Sequence, residues 1–327
     1  MSLPQKPWLY LLLTTIMALG VVAFFLISSG GHSGMQKLFD NRYAYDAFWE
    51  GCGSRLAEAG ASRDFVYVAA KIWAHQPLSA GELAQLGPEI DAVYNIGISP
   101  SGSRKRDQPL LAIAAERDNP DAWEVLLAAG ARPDVSTIIP YDMVSVRSFV
   151  NLRVDWSASV AMTRAYIAHG GDPNLQVNGA EPPLSYALSN GNLEAALILL
   201  DAGAEPWREI HAHFTNGQNG LDRYIPVRNA DYFGSGPAFI AELARRGYFA
   251  EAPTEAVVFL VDRYIASIEE DLSSPSTTAM ESLQSGTEVL GAFLDAKIAY
   301  RREEMQTLST RGQRMLGGEA DGGNKRL

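Results

Sequence analysis

Few of the residue types that carry out chemistry lie close enough in this sequence to act together. The best metal candidate is His211-Ala212-His213, in which two imidazoles lie two residues apart. Residues at that spacing lie about 200° apart on a helix, so two such imidazoles converge on one ion only in particular geometries. No Cys, His or acidic residue stands at a recognised metal-ligand spacing from this pair. We therefore predict no metal site, and we expect these histidines to be ordinary surface or hydrogen-bonding residues.

Three other segments contain a nucleophile or a glycine-rich loop without the partners that catalysis needs. Gly31-His32-Ser33-Gly34 lacks the glycine spacing and the flanking strand of a hydrolase nucleophile elbow. Gly234-Ser235-Gly236-Pro237 lacks the spacing and the Lys of a phosphate-binding loop. Cys52, between Gly51 and Gly53, has no nearby base in the sequence to activate its thiol. The sequence therefore predicts no catalytic residue and no cofactor.

Side chains suited to protein interfaces are easier to find. Arg104-Lys105-Arg106 is a run of cations in an otherwise acidic chain, and it suits an acidic partner or lipid headgroups. Aromatic residues and arginines elsewhere are the types that anchor interfaces when partly exposed. The predicted partner-binding residues are Arg104, Lys105, Arg106, Tyr141, Trp156, Trp207, Arg208 and His211. The alternative is that the cations form a solvated loop and the aromatic residues pack their own segments against the fold.

Length and charge limit the classes of function. A chain of 327 residues can form two ordinary domains or one elongated repeat array. Its net charge of -11 argues against nucleic acid as the main partner, because no broad basic face is available to neutralise phosphates. Cys52 is the only cysteine, so an internal disulfide is impossible and either redox compartment is allowed. No small-molecule substrate is indicated.

One segment has the length and composition of a membrane span. Residues 8–27 carry no charge and match the thickness of a bilayer, with Trp8 and Tyr10 at one end. We predict an uncleaved signal anchor here. The alternative is a cleaved signal peptide, for which Ser28-Ser29-Gly30-Gly31 offers a loose cleavage site.

The orientation of this anchor is set by nearby charges and by the tail before it. Lys6 lies on one side, and Lys37 and Arg42 lie on the other, so the charges nearly balance. The short N-terminal tail favours a cytoplasmic amino terminus with the body outside. In a bacterium the protein is then expected in the inner membrane, with its body in the periplasm.

The strongest structural pattern is a pair of short helices in residues 183–206. Pro183 opens the first helix, Asn190-Gly191 forms a tight turn, and Gly203 closes the second helix in a left-handed conformation. Residues 109–133 repeat the pattern in register. A third copy closes at Gly170, which lies 33 residues before Gly203.

The pattern is less regular in other places. Gly130 and Gly170 are 40 residues apart, which indicates a longer hairpin or first helix in the third copy. Gly247 could close a fourth unit, and Gly60 resembles another closing turn without a convincing opening. End units are expected to be atypical, because they must present a soluble outer face.

These units resemble ankyrin repeats, whose period is about 33 residues and whose helix pairs bury their apolar faces only by stacking on neighbours. The usual Thr-Pro-Leu-His-x-Ala opening stands here as Pro182-Pro183-Leu184-Ser185-Tyr186-Ala187, without the Thr and the His. The alternative is a generic bundle of helical hairpins. The resemblance implies an all-α, ankyrin-like helical solenoid with extra helices at both ends, preceded by one transmembrane helix.

The resemblance also implies a function. Ankyrin-type proteins bind other proteins, and bacterial forms with an anchor resemble envelope inhibitors of secreted toxins (immunity proteins) or envelope scaffolds. We expect a membrane-anchored, non-enzymatic protein that binds another protein stoichiometrically. The alternative is a structural scaffold or accessory subunit of a membrane complex, and an enzyme is the less favoured class.

Breaks in the pattern give the expected layout of the chain. Pro77 and Gly81 are expected to divide the N-terminal region into short helices. Thr254 is expected to cap a long helix, and a last helix is expected near residues 281–308. The predicted segments are a tail at 1–7, the anchor at 8–27, a linker at 28–35, an N-terminal helical cap at 36–97, the repeat region at 98–248, C-terminal helices at 249–308 and a disordered tail at 309–327.

Overall fold

The computed structural model describes most of the chain between residues 38 and 322. The described residues are 38–39, 42–98, 105–134, 156–176, 182–210, 221–230, 235–274 and 276–322. They are mostly α-helical, which confirms the predicted fold class at this coarse level. Two short strands add one antiparallel hairpin, which an all-α description omits.

The helices and strands are short in the first half of the chain and long at its end. The α-helices are α1 Arg42–Phe48, α2 Ser54–Glu58, α3 Arg63–Trp73, α4 Ala80–Leu86, α5 Leu110–Glu116, α6 Pro120–Ala128, α7 Trp156–Ala168, α8 Pro183–Ser189, α9 Leu193–Asp201, α10 Ile225–Arg228, α11 Ser235–Arg245, α12 Thr254–Ser273, α13 Thr277–Asp295 and α14 Arg302–Gly322. The strands are β1 Tyr94–Ile98 and β2 Lys105–Gln108, paired with Tyr94 opposite Gln108 and Ile98 opposite Lys105. Single helical turns of other types are Trp49–Gly53 (π) and Gly87–Asp91, Leu221–Arg223 and Tyr248–Ala250 (3-10).

The chain forms two compact units, one ending at Ala131 and the other beginning at Arg132. The predicted repeat region at 98–248 therefore contributes residues to both units. In the first unit, α3 packs against α4 and α5, and α5 packs against α6. In the second unit, α9 packs against α7, α8 and α11, and the last three long helices pack on one another.

Local sequence signals explain where α3 and α4 begin. Ser62 caps α3, since its hydroxyl accepts a 3.0 Å hydrogen bond from the Phe65 amide. Ser79 and Glu82 form a reciprocal capping box at the start of α4. Pro77 lies between the two helices as predicted, but the expectation that Gly81 breaks this region is wrong. Gly81 lies inside α4, because the capping box nucleates the helix just before it.

The two best-matched sequence units both fold as helical hairpins. The first is α5–α6 and the second is α8–α9, with the turn at Asn190-Gly191 where it was predicted. The aligned pairs Leu111 with Leu184 and Ala114 with Ala187 are all buried. In each hairpin an Asn caps the second helix: Asn119 accepts from the Ala122 amide and Asn192 from the Ala195 amide, each at 3.0 Å.

The predicted closing glycines all adopt the left-handed conformation. Their φ angles are 89° at Gly60, 97° at Gly130, 84° at Gly170, 94° at Gly203 and 79° at Gly247. The residue after four of them donates its amide back to a carbonyl five residues earlier, as in Ala131 to Leu126 and Ala204 to Leu199. This is the Schellman arrangement, which satisfies carbonyls that the helix end leaves unpaired. The first helix of the third predicted copy lies outside the described residues.

The C-terminal helices differ from the prediction in their starts and ends. Thr254 is the first residue of α12 rather than its cap, because Pro253 occupies the capping position and no side chain caps the helix. The predicted helix at 281–308 is wrong, since the chain turns between α13 and α14. Lys297 and Arg301 adopt φ angles of 59° and 50° in that turn. Neither residue type signals a left-handed turn.

The predicted disordered tail at 309–327 is also wrong as far as residue 322. Helix α14 continues to Gly322, and Leu308, Ser309 and Gly312 are buried in it. A Cβ at Gly312 would lie 2.4 Å from the Thr287 hydroxyl oxygen of α13, so the glycine allows the two helices to approach closely. Gly312 therefore serves helix packing.

The predicted membrane anchor at 8–27 lies outside the described residues, as do the tail and linker on either side of it. Among the helices that the structure describes, none combines the length and the apolar character that a membrane span requires.

Candidate protein-interaction surface

In the second unit, the residue four positions after a closing glycine contacts the closing turn that comes next in the chain. Asp134 holds this position in the first turn, and its Oδ1 accepts from the Asp172 amide at 3.2 Å and from the Tyr166 hydroxyl at 2.5 Å. Burial raises the pKa of the Tyr166 hydroxyl, and the hydrogen bond to Asp134 raises it further. Tyr166 therefore stays protonated and donates its hydroxyl proton to Asp134.

Asn174 makes the same kind of link to the next turn. Its Oδ1 accepts from the Glu205 amide at 2.8 Å, and its Nδ2 donates to the Gly203 carbonyl at 2.9 Å. The oxygen and the nitrogen of this one side-chain amide both bond to backbone that lies about 30 residues further along the chain. The closing turn at Gly203 is therefore fixed by the turn at Gly170.

Trp207 occupies the equivalent position after Gly203 and continues the series. Its Nε1 donates to the Tyr248 carbonyl at 2.9 Å, beside the closing Gly247. Its ring meets Phe249 edge to face at 5.2 Å, and Phe249 in turn contacts Phe293 of α13 at 5.0 Å. We call Asp134, Asn174 and Trp207 the turn ladder, since each contacts the closing turn that follows it in the chain.

The turn ladder changes the interpretation of Trp207, which the sequence analysis selected for partner binding. Its hydrogen bond and its ring contact are both made within the chain, as in the alternative that the sequence left open. Arg208, the next residue, is exposed and donates to the Asn174 carbonyl at 3.0 Å. Arg208 therefore presents its remaining donors on the surface beside the ladder.

A short hairpin base follows Arg208. Glu209 and Tyr224 form an isolated antiparallel bridge, and the Ile210 amide donates to the Arg223 carbonyl at 2.7 Å. The Arg223 guanidinium lies 3.4 Å from Glu209 and 3.3 Å from Glu255. The two ends of the segment are thereby held together.

The other predicted partner-binding residues are placed only in part. Arg104, Tyr141 and His211 lie outside the described residues, and the structure does not test them. Lys105 and Arg106 lie in β2, and nothing in the structure tests their predicted role in partner binding. Trp156 is the first residue of α7. The structure does not bring these residues together with Arg208 into one described surface.

Two residues that the sequence analysis did not select form a notable contact in the first unit. The Arg117 guanidinium lies over the Trp73 ring, 4.5 Å from its centroid. Arg117 directly follows α5 as its C-cap, and Trp73 is the last residue of α3. The only sequence signal is that Arg117 aligns with Asn190 of the other hairpin, so an uncommon residue stands at a turn position.

Candidate catalytic and metal residues do not converge where the structure describes them. Cys52 is buried in the π-helical turn, with 2% of its surface exposed. Within the described ranges, no three His, Cys, Asp or Glu side chains are grouped so as to hold a metal ion. His211 and His213 lie outside those ranges.

Comparisons with known proteins do not add a family to this description. No protein-family profile matches the sequence, and no curated protein matches it significantly.

Proposed function

We propose that this chain is a membrane-tethered binding protein whose body of ankyrin-like helical hairpins engages another protein stoichiometrically. The turn ladder is the observation that supports this proposal most. The closing turns at Gly170, Gly203 and Gly247 are each held by a hydrogen bond to a ladder side chain, so surface residues on these turns are preorganised. A preorganised surface loses little conformational entropy on docking, which favours protein binding by surface complementarity.

The ankyrin-like assignment rests on repeated local structure rather than on a family match. Two hairpins share their burial pattern, their Asn caps and their left-handed closing glycines. The tether rests on the apolar, uncharged sequence of residues 8–27. This segment supports a membrane tether, which in a bacterium would lie in the inner membrane. A toxin-neutralising role is the specific form suggested by the ankyrin resemblance.

Affinity capture of the full-length protein from native membranes, followed by quantitative mass spectrometry, tests this proposal. We expect one dominant partner protein in an amount near that of the bait. A folded bait that recovers no protein in comparable amount would contradict the proposal.

Charge-matched variants locate the surface. Replacing Arg104, Lys105 and Arg106 with Ser removes the cationic segment of the hairpin. The control replaces Arg63, Arg311 and Arg314 with Ser, because these are exposed and form no ion pair with described residues. We expect the first variant to lose most of the partner and the control to retain it.

A further inference from the structure

Several arginines of the described chain have a carboxylate partner. The ion-paired arginines are Arg164, Arg223, Arg245, Arg246 and Arg301. This pairing is expected for a chain of net charge -11, in which carboxylates outnumber cations. A partly buried arginine without such a partner has lost water around its guanidinium without gaining an ion pair.

Arg117 is such an arginine. Its side chain is partly buried, and it makes no hydrogen bond or ion pair to any residue that the structure describes. Its Nε is buried without a hydrogen-bond partner among those residues. Leaving a guanidinium donor buried and unpaired costs free energy, because the donor has lost its water. The stack on Trp73 holds the guanidinium plane but uses none of its N–H donors.

The ring beneath Arg117 is held firmly. Trp73 meets Phe48 edge to face at 5.6 Å, and Phe48 is fully buried. The Asn119 Nδ2 donates to the Ile72 carbonyl at 3.0 Å, so the α5–α6 turn is tied to the residue before Trp73. Arg117 and Trp73 are thus positioned by two rigid elements rather than by a loose loop.

The backbone beside both residues is in an uncommon conformation. Asp118, directly after Arg117, has a φ of 49°, and His75, two residues after Trp73, has a φ of 52°. The other hairpin has Gly191 at the position of Asp118. A left-handed backbone conformation costs free energy in a residue other than glycine, and such residues concentrate at functional sites. Two of them flank the Arg117–Trp73 stack.

We propose that Arg117, stacked on Trp73, is an anchor for one Asp or Glu side chain of the protein partner. The planar guanidinium offers paired donors that fit a carboxylate, and stacking leaves them less rotational freedom to lose. The site suits one negative charge, because Glu116 and Asp118 adjoin Arg117 in the sequence and oppose a phosphate dianion. This inference rests on the proposed function, since it assigns the carboxylate to a bound protein.

Selection of short random peptides displayed on phage tests the anchor on the full-length chain in lipid nanodiscs. The baits are the wild type, Arg117→Met, and the control Arg63→Met, which removes an exposed arginine of the same unit. Methionine keeps an unbranched apolar chain against Trp73 and removes the guanidinium donors. Thermal unfolding of each bait, followed by circular dichroism, confirms that it is folded.

We expect peptides enriched on the wild type and on Arg63→Met to share an Asp or Glu at one position. They should bind Arg117→Met at least about tenfold more weakly, the effect of one charge-assisted hydrogen bond. Changing the shared Asp or Glu of a selected peptide to its amide should weaken binding to the wild type by the same factor. The same change should not further weaken binding to Arg117→Met. Inorganic phosphate should not compete.

Equal binding to Arg117→Met, absence of a shared acidic position, or competition by inorganic phosphate would each overturn the anchor. If Arg117→Met does not fold, Arg117→Lys replaces it, because lysine keeps the charge and loses the planar fork. An unchanged affinity in Arg117→Lys would then count against the anchor, and a loss of several-fold would support it.

The anchor and the proposed function fail in different ways. If native membranes yield no partner but acidic peptides depend on Arg117, the anchor stands and the proposed protein partner fails. If a stoichiometric partner is captured equally well by Arg117→Met, the proposed function stands and the anchor fails.

Discussion

The hairpins α5–α6 and α8–α9 share one design and differ at the turn between their helices. Both bury the same leucine and alanine positions and cap the second helix with an Asn. The α8–α9 turn has Gly191, with a φ of 76°, where the α5–α6 turn has Asp118, with a φ of 49°. The residue before it is Asn190 in one hairpin and Arg117 in the other.

This difference distinguishes the residue positions that the hairpin fold requires from those that can vary. The buried leucines, the Asn cap and the closing glycine recur because packing and helix ends require them. The turn residues before the cap are free to differ. In α8–α9 the Asn190 Nδ2 donates to the Tyr186 carbonyl at 2.8 Å, so the turn satisfies itself. In α5–α6 the turn directs Arg117 onto Trp73 instead.

The largest expected effect on stability tests whether the buried leucines of the two hairpins are equivalent. Leu126→Ala and Leu199→Ala each remove a fully buried side chain at matched positions. Each should lower the free energy of unfolding by about 3 kcal/mol, through lost burial and the cavity left behind. Chemical denaturation measures the loss. Val125→Ala and Ile198→Ala are matched controls on partly exposed positions, and each should cost clearly less. A large cost at only one leucine would show that the hairpins are not equivalent.

The next effect concerns the Asn caps. Asn119→Ala and Asn192→Ala should each lower the free energy of unfolding by about 1–2 kcal/mol, because each loses the helix cap and a second hydrogen bond. That second bond reaches the Ile72 carbonyl from Asn119 and the Ser159 hydroxyl, at 3.2 Å, from Asn192. Asn→Ser at either position keeps the cap and loses the second bond, so its cost should be smaller. Equal costs for Ala and Ser would mean that the cap contributes nothing.

Exchanging the turn residues Gly191 and Asp118 should change the free energy of unfolding in opposite directions. Gly191→Asp should cost about 1 kcal/mol in free energy of unfolding, since a side chain enters the left-handed region. Asp118→Gly should increase the free energy of unfolding by up to about 1 kcal/mol, because it relieves that conformation. Thermal unfolding of both variants beside the wild type is the measurement. Destabilisation by Asp118→Gly would show that the Asp118 side chain makes a contact that outweighs the strain.

The smallest effect is a pH dependence of the first unit. Burial and the 2.5 Å hydrogen bond to Glu89 raise the pKa of Tyr94 to about 12, against about 10 in the unfolded chain. The folded state therefore holds this proton more tightly, and stability present below pH 10 is lost as pH rises towards 12. Unfolding midpoints between these pH values should fall less in Tyr94→Phe than in the wild type. Identical slopes in both proteins would contradict this assignment.

The sequence predicted the features that one residue type determines locally. The closing glycines were found because a left-handed helix end strongly favours glycine, and the hairpin boundaries followed from Pro183 and Asn190-Gly191. The turn between α13 and α14 was missed because Lys297 and Arg301 adopt positive φ angles that their residue types do not signal. Local preference was overridden there by packing of the long helices.

The interaction surface was less predictable for a physical reason. Exposure of an aromatic or arginine side chain depends on neighbours that are distant in sequence. Trp207 was selected as an interface residue, yet its ring and its Nε1 are used inside the chain. Arg117 was not selected, because its significance comes from the absence of an ion pair and from Trp73, which lies 44 positions earlier.

The proposed binding role depends on turns that are fixed by their neighbours, and hydrogen exchange of single amides tests that most directly. In the full-length protein, NMR should show the Glu205 amide protected, and Asn174→Ala should speed its exchange roughly fivefold or more, as expected for a lost bond of about 1 kcal/mol. Asp134→Ala should do the same to the Asp172 amide. The Gly171 and Ala204 amides, which bond within their own turns, should change little. Unchanged exchange at Glu205 and Asp172 would contradict the turn ladder and remove the main support for a preorganised binding surface.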